Sequence, residues 1–364
     1  MGLDLTNVKI LGRTSEEAPD TLFWTGSRFE MNVKASYLTV TVEAAYGMQE
    51  QWIAVLVNKV QLCRMPLHRG ENEIIIFRNR NAEEVKNVRI VKEVQPMGGD
   101  GANYIRLTGI ETDGELVPVE EPAMRIQFVG DSITSGEGAV GARSENDWVA
   151  QLFSAVDNYA YMTAEALSAD YQVVSQSGWG VYCGYNNDIH MNVPRLYDSV
   201  CSLVTEDGKS VRGSLEKYDH SRFVPDVAVI NLATNDSGAC SAEAYTDPET
   251  GKTYRMVRGE DGRLDAESAK HFSDAVVAFL KKLRAAHPEA YLLWVYGMLG
   301  VDMENPVLEA ITAYREATGD ERTGYCRLPD TTPDAFGARC HPGHRSHERA
   351  AETIAAKIRE LTIG

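Results

Sequence analysis

The stretch FVGDSITSGEGAVG (Phe128–Gly141) places a serine hydroxyl where an apolar run meets a glycine-rich turn. Ser132 can be read there as a nucleophile held at the end of a strand. It can equally be read as the cap of a strand-to-helix turn. Acyl transfer needs more than a nucleophile: a base within reach, something to hold that base, and donors aimed at the developing oxyanion. SQSGWGVY supplies Gly178, whose backbone can approach a ligand closely. NLATNDSG supplies Asn235, whose side chain carries an NH₂ donor. With the Ser132 amide these make three candidate oxyanion donors. His341, in GARCHPGH, is the candidate base. Pro342 biases it to an extended conformation and suits a first helical turn. Taken alone, each has an ordinary reading: a tight turn for Gly178, a loop bond for Asn235, a surface histidine for His341. Trp179 is either a platform for a sugar ring or a core tryptophan. Glu137, on the nucleophile loop, is accounted for as a solvated charge and given no role.

CHPGHRSH brings Cys340, His341, His344 and His347 close in sequence, which raises zinc as a rival. A helix would spread the three histidines over a broad arc, and the spacing matches no standard zinc motif. No metal and no cofactor is therefore assigned. His347 is expected to pack or cap near the site.

These residues need a scaffold, and the rhythm of the chain supplies one. YLTVTVE alternates, with Leu38, Val40 and Val42 on one face. WIAVLV, NEIIIF, NVRIVKEV and NYIRLTGIE follow at close spacing with polar turns. This predicts an antiparallel β-sandwich, either a packing module or a sugar-binding one. ETDGELVPVEEPA reads as a linker. Beyond it, strands (MRIQFVG, YQVVSQSG, PDVAVINLATND, AYLLWVYG) alternate with helical segments. DAESAKHFSDAVVAFLKKLRAAHP sets Phe272, Val276, Phe279, Leu280 and Leu283 on one helical face. HPGHRSHERAAETIAAKIRELT ends the chain with Ala351, Ile354, Ile358 and Leu361 at core spacing. Such alternation implies a three-layer α/β domain around a parallel sheet. The expected division is a sandwich over residues 1–120 and an α/β domain over 121–364. Two long polar stretches, 181–223 and 237–265, follow strand ends, where such sheets bind ligands.

A formal charge of -17 over 364 residues argues against nucleic acid and anionic membrane surfaces as partners. No apolar run is long enough to span a bilayer. The start lacks the charged and apolar regions of a secretory signal. MGLDLT fits the loose pattern for myristoylation at Gly2, a weak sign. The six cysteines show no C-x-x-C pair and are expected as reduced thiols, as in a cytoplasmic setting. A secreted chain whose signal had been removed would read the same. Oligomeric state, including a homo-oligomer, is left open.

GDSITSG, SGWG, NLATND and HPGH, in this order, resemble the blocks of the SGNH (GDSL-type) hydrolases. With a sandwich ahead of them the chain resembles carbohydrate esterase family 2, which removes acetyl groups from plant polysaccharides. The resemblance covers nearly the whole chain. It implies an N-terminal jelly-roll domain and a C-terminal SGNH domain, with Ser132 and His341 catalytic. It also implies an oxyanion hole of Ser132, Gly178 and Asn235. The implied function is an acetylesterase acting on mannan or xylan oligosaccharides through an acetyl-enzyme. Two positions depart from the pattern. Ala233 stands where glycine is common. Ala338 stands three residues before His341, where an acid is usual. A main-chain carbonyl, as in Ser–His dyad members, or Asp334 or Asp330 must then orient His341. The missing acid favours one alternative, a carbohydrate-binding protein with weak catalysis. A second, a general short-chain esterase or lipase on the same fold, has against it the lack of an amphipathic lid helix or strongly apolar loop in the sequence.

Overall fold

Alternating apolar side chains in the first third build two antiparallel sheets packed face to face. The structure is a computed structural model that describes residues 3–363, so Gly2 lies outside the described residues. The strands are β1 (Val8–Leu11), β2 (Thr21–Leu22), β3 (Arg28–Lys34), β4 (Leu38–Ala45) and β5 (Trp52–Val57). They continue with β6 (Val60–Pro66), β7 (Gly70–Phe77), β8 (Val85–Lys92), β9 (Tyr104–Thr112) and β10 (Glu115–Val117). One sheet runs β1-β3-β8-β5-β6 with β10 also on β3; the other runs β2-β9-β4-β7. Phe29, Met31, Val55 and Ile90 of the first meet Leu38, Val40, Val42 and Ile105 of the second in one core.

The segment read as a linker carries a strand. Glu115, Leu116 and Val117 pair antiparallel with Lys34, Val33 and Asn32. Three residues among prolines and acids leave too short an alternation to stand out in sequence. Strands β1, β2, β3 and β6 are also additions to the sequence reading.

The rest of the chain forms a parallel sheet: β11 (Arg125–Gly130), β12 (Asp170–Ser175), β13 (Val227–Asn231), β14 (Tyr291–Tyr296) and β15 (Thr323–Arg327). Its order is β12-β11-β13-β14-β15. The last strand, TGYCR, was not anticipated. Helices α2 (Tyr159–Leu167) and α6 (His344–Ile363) cover one face; α4 (Ala266–Ala286) and α5 (Glu304–Thr318) cover the other. The short helices α1 (Ser132–Ser135) and α3 (Thr234–Ala239) follow β11 and β13. The chain order reverses between β11 and β13, and such a switch point opens a crevice at the strand C-termini. The strands ending there lead into Ser132, Gly178 and Asn235.

The two halves share buried polar contacts. Arg13 lies between the rings of Tyr197 and Tyr218 and donates to Gln172 and to the carbonyls of Tyr197 and Ser199. Arg28 reaches Asp170, and the Trp24 indole donates to the Val200 carbonyl. All six cysteines are free thiols, and among the described residues no helix is long and apolar enough to cross a membrane.

Beside Arg13 sit two stacked or edge-packed histidines, His220 and His287. The Tyr197 hydroxyl has one proton, given to Gln127, so it receives the Nε2–H of His287. Burial, with Arg13 nearby, pushes His220 down to about 4 and His287 down to about 3. An unfolded histidine titrates near 6.5, so the folded state binds fewer protons below that pH. Stability is therefore fully present above about 6.5 and falls as pH drops toward the folded values. Chemical denaturation at pH 7 and pH 4 should show a smaller loss on acidification in His287→Gln than in the wild-type chain. An equal loss in both would remove His287 from the acid response.

Candidate active site

Strand β11 ends at Gly130, and Asp131 caps the short helix by accepting the Ile133 amide at 3.0 Å. That turn sets Ser132 at its first position, 5% exposed. The strand-to-helix turn is present, but its cap is Asp131 and not Ser132, whose hydroxyl is left for His341. Asp131 itself is buried. Desolvation pushes its carboxyl up to about 7, against the pull of the Ile133 amide.

His341 Nε2 lies 2.9 Å from Ser132 Oγ. Its Nδ1 lies 2.9 Å from the main-chain carbonyl of Arg339, so the proton sits on Nδ1 and Nε2 is free to accept. Asp334 is exposed and takes its hydrogen bond from Thr332; Asp330 is exposed as well. Neither carboxylate is a partner of His341. Ala338 is fully buried. His341 is extended, with φ -94° and ψ 162°. Helix α6 begins only at His344, so Pro342 lies ahead of the helix rather than in its first turn.

The carbonyl reaches the ring because Arg339 and Cys340 are left-handed, at φ 55° and 56°. Four contacts hold them there. The Arg339 amide donates to the Glu145 carbonyl at 2.7 Å, and its guanidinium donates to the Asn146 carbonyl at 2.6 Å. Arg339 Nε meets Glu137 Oε1 at 2.7 Å. The Ala338 amide donates to the Gly138 carbonyl at 3.1 Å. Gly138 permits this close approach: a Cβ there would collide with the Ala338 carbonyl and lie 2.7 Å from His341 Cβ.

Glu137 is thus not a solvated charge. It is 2% exposed, with Oε1 3.9 Å from His341 Nε2. Sequence could not place it, because its partner Arg339 is 202 residues away. Its position between two glycines on the nucleophile loop was the available signal.

The candidate donors converge from the neighbouring strands. Gly178 is left-handed at φ +81°, and among the described residues its amide has no acceptor. Asn235 Nδ2 gives one proton to the Trp179 carbonyl at 3.0 Å, which aims the amide and leaves its second proton free. Asp236, fully buried, accepts the amides of Val181, Tyr182 and Cys183 and fixes the loop beyond Trp179. Burial raises its carboxyl above the ordinary value, and those three amides pull against it. Ala233 has φ 117° and ψ -16°, a region suited to glycine, so this departure is met with backbone strain.

The sandwich side supports the same loop. Gln95 Oε1 accepts both the Ser177 amide at 2.9 Å and the Ser177 hydroxyl at 3.1 Å. Its Nε2 has no partner.

Ser132, His341, Gly178, Trp179 and Asn235 line one open cleft of about 540 Å³ with Gly98, Glu137, Trp148, Gln176, Ser177, Tyr185, Met191 and Arg339. Trp179 is half-buried, and its ring also packs against both adjoining cores. Trp148, from the loop before Phe153, and Tyr185 are aromatics the sequence reading passed over. The zinc candidates diverge. His344 pairs with Asp157, while His347 is buried, stacks on Tyr159 and accepts its amide. Burial pushes His347 down to about 3. Among the described residues no group of three or more His, Cys, Asp or Glu side chains is set to hold a metal.

Blocks on three adjacent strand ends, with a histidine before the last helix, define an SGNH-type hydrolase, a carboxylic ester hydrolase. No family model matches the chain. It is 37% identical to the acetyl xylan esterase Est2A from the rumen bacterium Butyrivibrio proteoclasticus, with TM-score 0.95 over 99% of this chain and 96% of that one. It is 22% identical over 359 residues to an acetylxylan esterase / glucomannan deacetylase of Cellvibrio japonicus, covering 98% of this chain and 89% of the relative. It is also 22% identical over 343 residues, 92% of this chain, to the cellulase/esterase CelE of Acetivibrio thermocellus, of which it spans 37%. A family two carbohydrate esterase from Clostridium thermocellum, solved with cellohexaose, shares the fold at 20% identity and TM-score 0.77, over 98% of this chain and 99% of that one. The chain belongs to carbohydrate esterase family 2.

Two outcomes follow from this geometry. Gln95 acts only as an acceptor, so Gln95→Glu should keep kcat on an acetate ester within about threefold. Gln95→Leu should lower kcat about tenfold to hundredfold with KM little changed, because a displaced donor acts on the transition state. Equal kcat in both variants would make Gln95 a mere packing residue. Ala233→Gly should raise stability by about 1 kcal/mol, the relief of strain less the entropy cost of glycine, measured by urea unfolding.

Proposed function

We propose that this chain removes acetyl groups from the sugar hydroxyls of hemicellulose oligosaccharides of the mannan or xylan class, by Ser132–His341 catalysis. The observation that carries this reading is the relay Ser132 Oγ–His341 Nε2, with Nδ1 on the Arg339 carbonyl, inside a cleft rimmed by tryptophans. His341 takes the Ser132 proton as Oγ attacks the ester carbonyl. The oxyanion is received by the amides of Ser132 and Gly178 and by Asn235. The imidazolium then protonates the departing sugar oxygen. Water, activated by the same nitrogen, releases acetate from the acetyl-enzyme.

A carbonyl fixes the tautomer but stabilises the imidazolium less than a carboxylate. Glu137 supplies negative charge on the other side of the ring. At 3.9 Å and an effective dielectric near 20 that attraction is about 4 kcal/mol before the opposing charge of Arg339 is counted. Glu137 therefore gives the ring a negative neighbour, partly offset by Arg339, without a carboxylate at position 338. We read Trp179 as a sugar-stacking residue, and residues 1–120 as a jelly-roll domain ahead of the catalytic domain of residues 121–364. A weak-turnover binding protein is the poorer reading, because the orienting partner of His341 is present in another form.

Ser132→Ala should abolish turnover of an acetylated xylo- or manno-oligosaccharide, and His341→Ala should cost at least about 10³. Asp334→Asn and Asp330→Asn should stay within about tenfold of wild type, against roughly 10⁴ for a true triad aspartate. If Asp334→Asn falls as far as His341→Ala while its melting is normal, the carbonyl assignment fails.

A further inference from the structure

Three of the four substituents of the tetrahedral carbon have fixed places in this cleft. One bonds Ser132 Oγ, the oxyanion faces Gly178 and Asn235, and the leaving oxygen faces His341 Nε2. The acyl chain must take the fourth direction, away from His341. The walls of the cleft divide the same way. Glu137 and Arg339 stand beside His341, and Trp148 follows the segment whose Asn146 carbonyl holds Arg339. Tyr185 and Met191 stand on the oxyanion side. Ring atoms of Tyr185 lie 3.1 and 3.3 Å, and Met191 Cε 3.7 Å, from where a Cβ on Gly178 would sit. Tyr185 Cβ is 3.8 Å from where a Cβ on Gly238, one turn beyond Asn235, would sit.

This wall is fixed by hydrogen bonds at both ends. The Tyr185 amide donates to the Gly178 carbonyl at 3.0 Å, and the Gly184 amide to the Asp188 carbonyl at 3.0 Å. Asp236 holds residues 181–183, and the Asn187 side chain donates to the carbonyls of Ala239 and Glu243, each at 2.9 Å. These bonds fix the backbone from which the Tyr185 ring projects, so the wall does not shift as a loose loop would.

We propose that Tyr185, with Met191, sets the acyl-length limit of this enzyme, admitting acetyl and excluding longer acyl groups. The proposal rests on the esterase reading above and names the specificity of that same site. Tyr185 is 56% exposed, so its truncation leaves no core cavity. One methylene in a shaped pocket is worth about 10–200-fold in discrimination. The test is kcat/KM on para-nitrophenyl acetate, butyrate and hexanoate for wild type, Tyr185→Ala and Met191→Ala, beside KM for an acetylated xylotriose. The acetate-to-butyrate ratio should fall at least about tenfold in Tyr185→Ala, and by less in Met191→Ala. An active wild type whose ratio moves in neither variant overturns the proposal and leaves the esterase reading standing. So does a Tyr185→Ala that raises only the xylotriose KM, which would put Tyr185 on the sugar side. A wild type inactive on every ester overturns both.

Discussion

The hydrogen bond from His341 Nδ1 to the Arg339 carbonyl is the constraint on which the site depends. It exists only if two consecutive non-glycine residues stay left-handed. That costs about 1–3 kcal/mol each, and local sequence does not favour it. The strain is held by the nucleophile loop and its continuation: Gly138, Glu145 and Asn146 accept from the backbone and guanidinium, and Glu137 closes the ion pair. The segment that carries His341 is thus moulded on the segment that carries Ser132. A shift of one relative to the other breaks both the Ser–His contact and the contacts that hold the base in place.

The same coupling extends outward. Thr25 Oγ1 reaches the Ser135 carbonyl, Glu93 accepts the Ala155 amide, and Gln95 holds Ser177. Each anchors a loop that follows the first or second strand of the parallel sheet. Glu93 is fully buried, and desolvation pushes it up to about 7, with Arg64 pulling it back. Buried polar contacts of this kind are weak evidence for stability. What they supply here is position, since each fixes one strand-end loop relative to a second body. The sandwich therefore forms part of the wall of the cleft, at Gly98, as well as part of its support.

The alternation of strands and helices was plain in the sequence, because buried parallel strands read as apolar runs and α4 carries a clean apolar stripe. Ser132, Gly178, Asn235 and His341 were legible because each sits at an element boundary with a motif around it. β3 carries an alternation, Phe29, Met31 and Val33, that the reading passed over. β6 was hidden for a physical reason: it is an exposed edge strand with little burial to pattern it. Glu137, Gln95 and Tyr185 were hidden because their contacts exist only in pairs. Glu137 needs Arg339, Gln95 needs Ser177, and Tyr185 needs the bare backbone of Gly178. A charge, an amide and an aromatic ring have no such meaning alone. Ala338 showed that an acid was missing, while its replacement was a carbonyl, which every residue has and no motif can announce.

The two sides of the cleft differ in how they are held, and the chemistry asks for that difference. In the proposed reading the leaving sugar, which comes in many linkages, lies on the side of the charged Glu137–Arg339 pair and of Trp148, which lines the same cleft. Such surfaces tolerate varied hydroxyl patterns, because an aromatic face and a charged pair select orientation more than size. The side proposed for the acyl group has one small task, and hydrogen bonds to Asp236 and to the Gly178 carbonyl, with those from Asn187, hold its backbone in place. Rigidity there also keeps the Gly178 amide aimed, since Tyr185 is bonded to the carbonyl of the same residue. An oxyanion donor works only if it needs no reorganisation when charge develops. The wall that would exclude longer acyl groups is therefore the same structure that keeps the donor in place.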